Sequence, residues 1–327
     1  TSDWLNFWKI RASWGQNGNQ DIRKFQYLAT LTYDNAWYFF GTDKTSQTIG
    51  SYPPILPNPD VSWETSQQLD FGTDMNFLNS RLQFSFDWYK KDTRDWLVVA
   101  PALSTNGTGA PFINGGQITN KGIELSLRWN DRIGEFTYGV SASLSHNNNE
   151  VVDIANDEKI IHGPSNVLAQ GTAEMFRAEV GYPVGYFWGF ETEGVLQDSA
   201  EAANWVGPEG EPYFTRQQAG DVKFVDQNND GEIDDDDKVM IGNPHPDYIF
   251  GFQINAGYKG LFFQLTANGQ AGHQIAKSYR SFSDSPKNNY TTDVYDRWTG
   301  PETSDRMPRL TWGSHQNTRY ISDLFIE

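Results

Sequence analysis

Cysteine is absent from this chain of 327 residues. That excludes a disulfide framework, a thiolate metal site and a cysteine nucleophile. Positive charge is scarce: 25 Lys and Arg stand against 42 Asp and Glu, a net charge of −17. A nucleic-acid partner needs a basic patch, so none is expected. Histidine is sparse too. His146, His162, His245, His273 and His315 show no metal-ligand spacing, such as two on one helix face. No apolar run reaches the length of a transmembrane helix. No G-x-S-x-G, H-E-x-x-H or phosphate-binding loop occurs. Glu191 and Glu193 share a face of an extended segment, but nothing else selects them as an acid/base pair. An enzyme is therefore the weakest reading. No signal peptide is visible, and both ends read as cuts within a longer chain.

What the chain has instead is aromatic side chains, with 12 Trp, 15 Tyr and 21 Phe. They fall on segments of period two, the signature of strands. In residues 7–14, Trp8, Ile10, Ala12 and Trp14 share one face, and Gly15 to Asn19 is expected to end the strand. A hairpin follows, with Leu69, Phe71, Thr73, Met75 and Phe77 alternating against polar neighbours. Leu82, Phe84, Phe86 and Trp88 do the same after a turn at residues 78–81. A second hairpin sets Ile123, Leu125, Leu127 and Trp129 before a turn at residues 130–135. Phe136, Tyr138, Val140, Ala142 and Leu144 follow it. A third runs through Phe250, Phe252, Ile254 and Ala256, turns at residues 258–260, and continues through Leu261, Phe263, Leu265 and Ala267. Residues 21–59, 101–117 and 147–247 read as long connections, with a short helix near residues 198–205. The tail from residue 271 reads as irregular.

Short turns alternate with long connections. In an up-and-down sheet this puts all short turns at one rim and all long connections at the other, as in outer-membrane barrels. The expected fold is all-β: an antiparallel up-and-down transmembrane β-barrel, here an incomplete wall of about seven strands. A low hydropathy fits, because only every second barrel residue meets lipid. Aromatics beside the short turns (Phe77, Trp129, Phe136, Tyr258, Phe262) suit an interfacial girdle. A soluble sandwich alternates as well, with its apolar face inward. An open sheet cannot leave an edge unpaired in lipid, so further strands are expected outside this stretch or in partners.

The third connection carries the densest chemistry. Asp226, Asn228, Asp230, Gly231, Glu232, Asp234 and Asp237 fall at positions 1, 3, 5, 6, 7, 9 and 12 of a calcium loop. Alternate side chains of a tight loop supply the several oxygens a hard cation needs. Gly231 stands at the sharp turn, Ile233 at the apolar anchor, and Glu232 offers its carbonyl. Position 12 is Asp rather than Glu, and no helix flanks the loop, so a structural calcium fits better than a sensor. The alternative is an acidic, solvated loop without metal. Loop aromatics are candidates for stacking on sugar rings: Trp37, Tyr38 and Phe39, and Tyr186, Phe187 and Trp188. The alternative for each is packing among the loops.

Several stretches resemble one family. Trp8-Lys-Ile-Arg-Ala-Ser-Trp-Gly-Gln-Asn-Gly-Asn19, Pro57-Asn-Pro-Asp-Val-Ser-Trp-Glu64, Asp87-Trp-Tyr-Lys-Lys-Asp92, Asn120-Lys-Gly-Ile-Glu-Leu125, Gly220-Asp-Val-Lys-Phe-Val-Asp226, Ile241-Gly-Asn-Pro-His-Pro-Asp247 and Arg297-Trp-Thr-Gly300 are similar to the SusC/RagA-type TonB-dependent transporters of Bacteroidetes outer membranes. The resemblance spans nearly the whole chain, in order. It implies the C-terminal part of a plugged barrel, with residues 1–327 in one barrel domain and residues 147–247 an extracellular loop holding the calcium-type motif. The plug, the TonB-contacting segment and the last strands are absent from the sequence. It also implies import of a large nutrient, an oligosaccharide or a peptide. The implied partners are a SusD-like surface lipoprotein, the TonB complex acting through the plug, and outer-membrane lipid. One departure is Asn229, where the family commonly has Gly; Asn tolerates the left-handed conformation. The competing class is a secreted, calcium-stabilised β-sandwich that binds glycans or cell surfaces.

Overall fold

The computed structural model describes residues 4–39, 47–99, 107–165, 167, 173–277, 292–311 and 315–327. Its largest sheet has seven strands: β1 (Leu5–Asn19), β2 (Glu64–Phe77), β3 (Leu82–Arg94), β4 (Gly116–Ile133), β5 (Phe136–Ile154), β6 (Tyr248–Tyr258) and β7 (Leu261–Ala271). Their order across the sheet is their order in the chain. The registered pairs from β1 to β5 are all antiparallel. The sheet is thus an up-and-down meander, the wall of an incomplete transmembrane barrel. The shortest strands have 11 residues, enough to cross a bilayer at a tilt, which takes roughly 9–11.

Register lines up the apolar faces. One row is Ile10, Thr73, Phe86, Leu125 and Leu144; the next is Trp8, Met75, Phe84, Leu127 and Ala142. A one-residue slip would turn every strand inside out, so the pattern itself fixes the pairing. None of these residues is buried, and several are well exposed: Trp8 at 58%, Ile10 at 70% and Leu127 at 41%. A water-soluble sandwich hides this face, so the sandwich reading gives way. The opposite face is polar. There Arg11 lies 2.9 Å from both Asp74 and Asp87, and Ser85 donates to Asp74 at 2.8 Å.

Short turns close one rim. Ile133 pairs with Phe136, which leaves only Gly134 and Glu135 in a turn expected to span residues 130–135. Lys259 and Gly260 both have positive φ, as a two-residue hairpin turn requires. Leu78, Asn79 and Ser80 are all left-handed as well. At the other rim the strands outrun their alternation. Gly15 to Asn19 does not end β1; it pairs with Gln68 through Glu64. β5 likewise continues to Ile154, past residue 147 where the connection was expected to begin. The connection after β1 also forms its own pair of strands, Thr32–Phe39 and Gln47–Tyr52.

Contacts divide the chain into two compact units. Most of the wall belongs to the first, residues 1–161, 179–181 and 251–267. The second comprises residues 162–178, 182–250 and 268–327, so the tail packs with the third connection. Its core holds Phe190, Leu196, Ala202, Trp205, Val222, Phe224 and Ile233. The expected helix is present at Ser199–Asn204, where Asp198 caps the amides of Ala200 and Glu201, each at 2.8 Å.

Candidate functional site

The acidic turn lies in the second unit between strands Val222–Phe224 and Lys238–Gly242. Its backbone is curled by its own side chains. Asp226 Oδ1 accepts from the amides of Asn229 (2.6 Å) and Asp230 (3.3 Å), and Oδ2 accepts from Gly231 (2.9 Å). Asp230 Oδ1 accepts from Glu232 at 2.9 Å. Asn229 and Gly231 are left-handed, at φ 60° and 91°, the conformation that Asn tolerates and Gly favours. Ile233 is buried as the apolar anchor.

Not every expected ligand is equally placed. Asp234 and Asp237 cap each other across a short 3-10 turn, Asp235–Asp237. Asp237 is fully buried, and its two oxygens accept from Gln227 (2.8 Å) and Asp234 (2.9 Å). These two residues therefore hold the turn's shape. Among the described residues no three His, Asp or Glu side chains converge as a metal cluster. Asp226, Asn228 and Asp230 also accept bonds within the turn, but they are not fully buried as Asp237 is, and a carboxylate has lone pairs beyond those its amides use, so with the Glu232 carbonyl they stay candidates for a cation. Tyr213 donates to Asp226 at 3.2 Å. Burial first, and then this carboxylate, push the phenol up to about 12, so it stays a donor.

The expected sugar-stacking aromatics fare differently. Trp37, Tyr38 and Phe39 lie in strand Thr32–Phe39, but their side chains fall outside the described residues. Tyr186 is fully buried and Phe187 belongs to a core cluster with Met175, Ile321 and Ile326. Both pack rather than present a face. Trp188 is half-buried, and Arg177 sits 3.8 Å over its ring.

Sequence reasoning missed a better-placed set. A cavity of about 790 Å³ opens beside the end of β1, lined by Asp21, Arg23, Phe25, Tyr27 and Trp63 among others. Phe25, Tyr27 and Trp63 are all exposed. Trp63 packs against Gly18, where a Cβ would meet the ring at 2.5 Å. The signal was the Trp63 that directly precedes β2. Aromatic faces beside charged and amide groups suit a polar, ring-bearing ligand.

A wall with an exposed apolar face, a polar face and all long connections at one rim defines a membrane β-barrel. The chain belongs to the family of TonB-dependent receptors: the description "TonB dependent receptor-like, beta-barrel" matches residues 2–270. It is 29% identical to the TonB-dependent receptor P3 of Formosa agariphila over 98% of its length, and 26% identical to the TonB-dependent receptor SusC of Bacteroides thetaiotaomicron over 97%. It spans about a third of those relatives, 31% and 30% respectively. In fold it resembles the structure of the RagAB peptide transporter, with a TM-score of 0.77 and 20% identity over all of this chain and 33% of that one.

Proposed function

We propose that this chain supplies wall and outer connections to an energised outer-membrane importer of large nutrients, oligosaccharides foremost. A SusD-like surface lipoprotein covers the outer mouth, and the TonB complex drives uptake through a plug domain. The supporting observation is the seven-stranded meander, with lipid-suited aromatics outside and charges such as Arg11, Asp74 and Asp87 inside. The residues here bind and guide rather than react. The peptide reading draws on the solved structures it resembles, which are named for a peptide transporter or importer.

The test is extraction from the native outer membrane. A polypeptide several-fold heavier than 37.1 kDa that carries a lipoprotein with it supports the importer. A chain near that mass, soluble without detergent, would sink it. Trp63→Ala and Tyr27→Ala in the intact transporter probe the ligand class. Loss of a central aromatic contact costs about 2 kcal/mol, or roughly 30-fold in affinity. Unchanged affinity for glycans that the wild type takes up would remove this cavity from the route.

The acidic turn is proposed to hold one structural calcium through Asp226, Asn228, Asp230 and the Glu232 carbonyl. When bound, the ion supplies charge compensation to the turn and no reactive chemistry. Asp226→Asn with Asp230→Asn is expected to remove one calcium per chain by elemental mass spectrometry. An unchanged calcium content refutes the assignment.

A further inference from the structure

On the apolar face of β3 the order is Leu82, Phe84, Phe86, Trp88, and then Lys90. On β4 it is Trp129, Leu127, Leu125, Ile123, and then Lys121. The register pairs these residues one to one: Leu82 with Trp129, Trp88 with Ile123, and Lys90 with Lys121. Both strands therefore change from apolar to basic at the same row. Trp14 and Leu69 complete that row on β1 and β2. Both lysines are exposed.

The row falls where lipid hydrocarbon should end. From Ile133 to Ile123 is ten strand steps, about 34 Å at 3.4 Å per residue. A strand tilt of about 40° reduces that to about 26 Å of height, against an apolar band of about 25 Å in such barrels. The lysines are one row further on, at the rim of the long connections.

Like charges directly opposite each other on a sheet repel. The neighbouring groups relieve this only in part. Asp92 lies 3.1 Å from Lys90 and accepts from Thr119 at 2.7 Å. Glu150 stands across from Thr119, and Arg94 across from Gln117. Among the described residues no acidic side chain is ion-paired with Lys121. Asp92 thus orients Lys90 and leaves a second ammonium facing it, at headgroup depth, in a protein of net charge −17.

We propose that Lys90 and Lys121 together bind a phosphate group on the headgroup of an outer-leaflet lipid. One phosphate oxygen accepts from each ammonium, and the lipid's chains lie along Trp88 and Ile123. The inference rests on the wall meeting lipid and not on the imported substrate.

The test uses the intact transporter in nanodiscs of phosphatidylcholine doped with phosphorylated lipid A or its dephosphorylated form. Native mass spectrometry reads the lipid retained. Lys90→Gln with Lys121→Gln is expected to lower retention of the phosphorylated form about 30-fold, from two lysines lost near an anionic lipid. Lys90→Arg with Lys121→Arg is expected to keep most of it, and Lys91→Gln, on the opposite face, to change nothing. Excess inorganic phosphate should not displace the lipid. The gel mobility of the unheated protein confirms that each variant barrel is folded. Equal retention of the two lipid A forms, or no loss in the glutamine variant, overturns the proposal. So does displacement by inorganic phosphate. Should the glutamine variant fail to fold, loss of retention in the arginine variant would overturn it as well.

Discussion

Asp221 is the sharpest place to perturb the second unit. Its carboxylate is fully buried. Oδ1 accepts from Arg309 Nε at 2.8 Å and from Asn317 Nδ2 at 2.9 Å, and Oδ2 accepts from the Gln218 amide at 3.0 Å. Asn317 in turn accepts from the Val222 amide at 3.0 Å. One carboxylate thus ties together segments almost a hundred residues apart. Replacing it with Ala leaves the Arg309 charge and the Asn317 amide without their acceptor. Breaking a buried ion pair costs about 3–5 kcal/mol. Arg309 keeps 22% of its side-chain surface in solvent, which places the cost near the lower end, about 3 kcal/mol. At 1.4 kcal/mol per decade, that is an opening constant raised about 140-fold. Hydrogen exchange in the intact transporter reads it directly at the amides of Leu196, Val222 and Arg309. The first bonds the Asp221 carbonyl at 2.9 Å, and the last bonds the Gly220 carbonyl at 2.8 Å. Protection there should fall by about two orders of magnitude, while β2 to β5 keep theirs, because cooperative units open separately. A fall of less than about fivefold refutes the reasoning, since it would equate the knot with one ordinary surface pair.

Three further outcomes follow from the geometry. Leu125→Arg on the lipid face should destabilise the barrel by about 2–4 kcal/mol, and Ser126→Arg on the polar face by much less; denaturant titration of the unheated gel band compares them. Gly122 faces Tyr89 across β3 and β4, and a Cβ there would meet the Tyr89 hydroxyl at 2.7 Å and crowd the His146 carbonyl. Gly122→Ala should cost about 1–3 kcal/mol by the same assay, and Tyr89→Phe should restore only part, because the carbonyl remains. Asp198→Ala removes the cap of the Ser199–Asn204 helix and should cost about 1 kcal/mol, read as faster exchange at the Ala202 amide.

The wall was legible because lipid on one side and water on the other impose a strict period of two. Leu82, Phe84, Phe86 and Trp88 need no partner to announce their face. The ends of the strands were not legible, for the complementary reason. Above the lipid both faces are wet, so the alternation stops while the hydrogen-bond ladder continues. Gly15 to Asn19 and Ser145 to Glu150 are polar on both faces, yet they stay paired with Gln68 through Glu64 and with Glu124 through Thr119. The acidic turn was legible as a local pattern, because its Asx-type bonds reach only two to five residues. Its inner division was not, because the burial of Asp237 depends on the surrounding core. The burial of Phe187 escaped for a related reason: residues that pack on it come from the tail, Ile321 and Ile326, over a hundred positions away.

The two units use the same side chains in opposite senses. Among the described residues the buried apolar side chains of the wall unit are only Ile118, Val151 and Ile154, while those of the second unit include Phe187, Phe190, Leu196, Trp205, Val222 and Phe224. Trp8 is 58% exposed and Trp205 only 8%, and neither is anomalous. The first lies on a face whose solvent is hydrocarbon, where an exposed indole loses nothing. The second lies in a core built against water, where burying a large aromatic gives the hydrophobic term its usual sign. Polar residues invert likewise. The Arg11 cluster sits on the wall's wet face, whereas Asp221 survives burial only because every strong donor around it is aimed at its oxygens. A substitution in this protein therefore has no fixed sign by residue type. Its sign is set by which solvent its face meets, and along the lipid-facing stretch of each wall strand that can be read from the parity of the residue number.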